Sequence, residues 1–102
     1  MIATPYYAVI FTSLKKSDDP AYNRMAKAME ELAQQQSGYI GHESARNEIG
    51  ITVSYWESLE AIAQWKQQVD HQLAQQLGKS DWYEWYKVRI CKVEREYKFG
   101  AQ

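Results

Sequence analysis

The sequence is poor in the residues that staple or interrupt a chain. A single cysteine, Cys91, among 102 residues excludes an intramolecular disulfide and offers no second thiol to share a metal. Its plain reading is a small apolar residue packed on the last strand. Two prolines and five glycines are too few for a flexible linker. With no repeat or low-complexity segment either, residues 1–102 read as one domain, with 98–102 a loose tail. No apolar run approaches the ~18 residues of a membrane span. Lys15 and Lys16 follow the first apolar stretch, whereas a secretory signal carries its positive charge ahead of it. The expectation is a cytoplasmic protein without a membrane partner. Charge of one sign is missing as well. A net charge of −1 and a pI near 6.1 provide no basic field for a phosphate backbone, so nucleic acid is not an expected partner.

Aromatic side chains are abundant. Four Trp and eight Tyr in so short a chain are flat, amphipathic surfaces that need a core, an interface or a pocket. With 45% apolar and 25% charged residues around them, the composition is that of a folded globular chain.

Tyr6 to Leu14 reads as a strand opened by Pro5, with Tyr7, Val9 and Phe11 on one face and Tyr6, Ala8 and Ile10 on the other. Both faces are apolar. Asp19-Pro20 is a helix start, with Asp as the cap and Pro in the first turn. The helix carries Tyr22, Met25, Ala26, Met29, Leu32 and Ala33 at helical spacing and stops at Gly38. Met25 and Met29 at that spacing read as core packing.

Tyr39–Arg46 and Ile49–Trp56 flank a turn at Asn47 and Glu48 and read as a hairpin. Ile49, Ile51, Val53 and Tyr55 share one face of its second strand; Gly50, Thr52, Ser54 and Trp56 share the other. Ser58 is the cap of a second helix with a stripe of Leu59, Ile62, Trp65, Val69, Leu73 and Leu77, ending at Gly78. A bend at residues 67–69 would bring His71 toward that stripe; on a straight helix it points away. A last strand is expected from about Lys87 to Tyr97, with Val88 and Ile90 opposite Cys91 and Val93 and a bulge possible at Cys91 or Lys92.

The order βαββαβ, joined by short connections and right-handed crossovers, gives an α+β, ferredoxin-like fold: a four-stranded antiparallel sheet with both helices on one face. The other face keeps its apolar residues, and a soluble chain covers such a patch with a partner. A second copy packed face to face is the expected cover.

Three segments, GYIGHESAR, GITVSYWESLEAIAQWK and WYEWYKVRICKVEREY, resemble the antibiotic biosynthesis monooxygenase (ABM) family in its small single-domain bacterial form. The resemblance implies a dimeric α+β barrel made by two ferredoxin-like sheets. It also implies a chemistry that needs no cofactor. An electron-rich phenol, hydroquinone or anthrone is deprotonated in an aromatic pocket and its anion reduces dioxygen directly, the protein supplying a base and donors for developing charge. The implied partner is a small aromatic or quinone-like molecule.

Candidate catalytic residues are His71, whose imidazole titrates near working pH, and Trp65. His71 reads alternatively as a surface residue, and Trp65 as core. Trp65 matches a tryptophan of haem-degrading relatives, but their further asparagine on the first strand is absent from Tyr6 to Leu14, and Gln75 stands where they have a histidine. His42 reads as an edge or interface residue or as one lining a cavity. Arg46 and Arg89 either pair with Glu43 and Glu94 or hold an anionic ligand. No metal site is expected from two separated histidines and one cysteine. A non-catalytic module for a small hydrophobic ligand or haem is the alternative function.

Overall fold

The computed structural model describes residues 3–16, 20–75 and 82–101, with residues 71–75 described by their backbone alone. Six elements follow in the order β1 (Tyr6–Lys15), α1 (Pro20–Gln34), β2 (Tyr39–Arg46), β3 (Ile49–Trp56), α2 (Leu59–Gln75) and β4 (Tyr83–Val93). The strands form one sheet in the order β2-β3-β1-β4, with every neighbouring pair antiparallel. This is the ferredoxin-like arrangement expected from the element order. Among the described residues no helix is long and apolar enough to cross a membrane.

Register decides which side chains meet. Val9 pairs with Ser54 on one side and Ile90 on the other, and Phe11 with Thr52 and Val88, so these residues share one face. Trp56 belongs to the same face and is 0% exposed. It forms a core with Val9, Ala33, Ala61 and Ile62, against which Tyr7, Tyr39 and Trp65 pack. The helices therefore cover the face of Tyr7, Val9 and Phe11. The Ala61 amide donates to Ser58 Oγ at 3.1 Å, the cap expected at the start of α2.

Gly38 is required on two counts. Its φ of 87° lies in the left-handed region, and a Cβ there would come within 2.7 Å of the Ala61 Cβ. The missing side chain lets the α1–β2 connection lie directly on the first turn of α2, where the Gly38 carbonyl accepts from the Glu57 amide at 2.8 Å.

The second face carries Tyr6, Ala8, Ile10, Ile49, Ile51, Val53, Tyr55 and Trp85. Tyr6 and Ala8 are buried, Tyr6 beneath an edge-on contact with Tyr55 and a 3.0 Å hydrogen bond from its hydroxyl to Glu96. Ile49, Ile51 and Trp85 remain 47%, 45% and 37% exposed.

Four expectations are corrected. β4 spans Tyr83–Val93 where the pattern suggested about Lys87 to Tyr97. The aromatic run Tyr83 to Tyr86 is itself strand because it pairs with Ser13 to Lys15, and residues 94–99 have no regular structure. The ladder is regular past Cys91 and Lys92, and the register shift lies at Leu14/Lys15 instead. α2 is continuous through residues 67–69, without the bend. Leu59 is exposed, because the first turn of α2 turns Ala61 and Ile62 inward. The capping role of Asp19, the side chain of Leu73, and Leu77 and Gly78 lie outside the described residues.

Candidate functional site

The helices do not seal the sheet they cover. Between α1, α2 and the covered face lies a cavity of about 300 Å³, within the size range of small-molecule sites. Val9, Phe11, Val88 and Ile90 form its floor, and Met25, Met29, Ile62 and Val69 part of its roof. Met25 is thus cavity wall as well as core, and the half-buried Met29 is cavity wall. Helical spacing alone places them inward, and only the gap between helices and sheet gives them that role.

At the β2 edge the floor becomes polar through a backbone irregularity. Tyr39 pairs with Trp56, yet Gly41 pairs with Tyr55 and His42 with Ser54. Ile40 is therefore an extra residue, a bulge that brings Tyr39 and His42 onto the same face. The Tyr39 hydroxyl and His42 Nδ1 are 2.6 Å apart, and His42 Nε2 lies 3.9 Å from the Glu30 carboxylate on α1. All three line the cavity. Burial, then the negative charge of Glu30, raises the Tyr39 pKa above its ordinary value, so the phenol stays protonated in the neutral range. The tautomer sets the direction of this bond: the phenol donates to an unprotonated Nδ1, or a protonated Nδ1 donates to the phenol oxygen and leaves the Nε2 lone pair facing the cavity.

Trp65 lines the cavity from α2, stacked on Trp56 with ring centroids 5.0 Å apart and planes at 30°. Its buried Nε1 has no hydrogen-bond partner among the described residues. His71 follows Val69 and Asp70, which also line the cavity, and its side chain lies outside the described residues.

At the far end the floor is aromatic. Tyr83 sits between Phe11, Tyr22 and Tyr86 with ring centroids 5.6, 5.5 and 5.6 Å away, and its hydroxyl donates to that of Tyr22 at 3.4 Å. Burial, then the contact with Tyr22, pushes its pKa up, offset in part by the positive charge of Arg46. Arg46 does not pair with Glu43. Three residues apart on one strand, they stand on opposite faces, and Glu43 accepts instead from Tyr55 at 2.6 Å. The Arg46 guanidinium crosses β3 over Gly50, occupying the space a Cβ would take, and donates to the buried Ser13 Oγ at 2.7 Å. Arg89 pairs in register with Ile10 and so lies on the other face, away from the cavity.

The cavity thus brings together Trp65, a candidate from the sequence, with His42 and Arg46, for which the sequence offers a ligand-facing alternative, and Tyr39, for which it offers none. The signal for His42 was Gly41 beside it, since a glycine inside a strand often marks a bulge.

A protein of Bacillus subtilis (strain 168) known as the uncharacterized protein YqjZ is 48% identical over 97 residues, covering 93% of this chain and 85% of that protein. Among solved structures, SO0527 from Shewanella oneidensis superimposes with a TM-score of 0.73 at 12% identity, covering 91% of this chain and 95% of that one. Rv0793 from Mycobacterium tuberculosis does so with 0.69 at 12% identity, covering 93% and 99%. At such identities the two structures speak for the fold. The family profile described as antibiotic biosynthesis monooxygenase matches residues 5–77, and with that match the chain belongs to the antibiotic biosynthesis monooxygenase family.

Proposed function

We propose that the chain is a cofactor-independent monooxygenase, an oxidoreductase acting on a small aromatic or quinone-like substrate in the cytoplasm, and that it works as a homodimer joined through its open sheet faces. The observation that carries this reading is His42 in an aromatic-walled cavity, with one ring nitrogen held by Tyr39 and a carboxylate beside the other. A substrate hydroxyl or activated methylene gives its proton to Nε2. The anion passes an electron to dioxygen, the radical pair combines to a peroxide anion that takes the proton back from the imidazolium, and loss of water from the resulting hydroperoxide leaves the quinone. One oxygen atom enters the product and the other leaves as water, so the substrate supplies all the electrons. Trp65 offers its face to the substrate ring and its unpartnered Nε1–H to a displaced oxygen atom. His71, also on the cavity-lining helix, is the second candidate base.

Oxygen uptake with hydroquinones and anthrones tests the proposal. His42→Ala is expected to lower kcat by about 10²–10⁴-fold, the usual worth of a positioned base. His71→Ala separates the two candidates, since the base is whichever substitution removes the rise of rate with pH. If wild type consumes no oxygen while aromatic ligands still bind, the chain is a ligand-binding module and the oxygenase reading is lost.

A further inference from the structure

The monooxygenase reading leaves the Arg46 end of the cavity without a task. Arg46 makes no ion pair among the described residues, although a carboxylate, Glu43, is borne on the same strand. Arg46 is an exposed residue, and one hydrogen bond orients its guanidinium. It lies over Gly50, where any side chain would collide with Nη2, Cζ and Nε, and it donates to Ser13, which is 0% exposed in the centre of the sheet. One donor is thereby spent on orientation and the others remain at the cavity wall. Beside it stand Tyr83 and Tyr86, flat surfaces suited to an aromatic ring. A planar cation with free donors next to an aromatic wall matches a carboxylate carried on a ring system.

We infer that Arg46 is a specificity residue and that the substrate is an aromatic acid, its carboxylate on Arg46 and its ionisable hydroxyl toward His42. Arg46 and His42 lie four residues apart on one strand, about 13 Å between their backbones. A ligand that engages both is extended, with at least two fused rings and its carboxylate remote from the hydroxyl. This inference rests on the proposed function for the role of His42 but not for the anion site.

The test is anaerobic binding, followed by quenching of tryptophan fluorescence, of a hydroxynaphthoate with its two groups at opposite ends and of its methyl ester. Wild type is expected to bind the acid at least about tenfold more tightly than the ester, as for a charge-assisted pair at a half-open site. Arg46→Met should abolish the preference. Gly50→Ala should weaken it while keeping the charge, because the new methyl group displaces the guanidinium. Equal binding of acid and ester by wild type, or a preference that survives Arg46→Met, overturns the inference. Since no oxygen is present, a preference lost in Arg46→Met without any turnover in air supports the anion site and defeats only the oxygenase reading. Turnover of neutral hydroquinones with no acid preference does the reverse.

Discussion

The two faces of the sheet are built from the same strands and differ in what is done with them. The covered face mixes size and polarity: Trp56, Val9 and Phe11 alternate across the ladder with Ser54, Thr52, Ser13 and Gly50. Its small residues leave room, and the room holds a cavity, an imidazole and a guanidinium. The open face is more uniform, with Ile10, Ile49, Ile51, Val53 and Tyr55 along its two central strands. It has bulk, and its charged groups, Glu43, Lys87 and Arg89, stand on the two edge strands. A surface of that kind suits association, whereas gaps and placed polar atoms suit chemistry.

Substitutions on either face sharpen that contrast. The largest effect is expected on the covered side, where Trp56→Ala removes the most enclosed large side chain. It should cost about 3–5 kcal/mol in urea unfolding and destroy the wall on which Trp65 stacks. On the open side Ile51→Lys should leave chain stability within about 0.5 kcal/mol, since the residue is 45% exposed. If the proposed dimer forms there, the same substitution sets two charges against each other, and sedimentation should find monomers where wild type pairs. An unchanged dimer would place the interface elsewhere. The smallest effect concerns Tyr55, whose pKa is pushed up to about 12, first by its hydrogen bond to Glu43 and then by burial. Its unfolded value is near 10, so the folded chain holds the proton more tightly between about pH 10 and 12. Stability from this group is complete below pH 10 and declines as pH rises toward 12. Tyr55→Phe should flatten that slope, while a pH-independent loss would argue that the phenol matters through packing alone.

Elements were more legible in the sequence than sites, for a physical reason. The hairpin Tyr39–Arg46/Ile49–Trp56 was readable because alternation and turn residues are local signals, and α1 because its stripe is long. β4 was misplaced by about four residues. Trp82 to Tyr86 do not alternate between apolar and polar, and pairing with β1 determines where the strand begins. Trp65 was found because it is both aromatic and on the inward stripe. Strict alternation groups His42 with Ile40 and leaves it between an edge or interface position and a cavity wall, because the bulge that breaks the alternation is a property of two strands together. Sequence proximity offers Glu43 as a partner for Arg46 beside the alternative of an anionic ligand, although a separation of three on a strand sends the two side chains to opposite faces.

The extra residue at Ile40 makes spacing, rather than chemical identity, the vulnerable quantity at this site. The imidazole and the phenol stand three residues apart, so on a flush ladder that kept every residue the phenol would turn to the opposite side of the sheet. A catalogue of side chains would register no difference between the bulged strand and a flush one, and only in the bulged strand do the phenol and the imidazole meet.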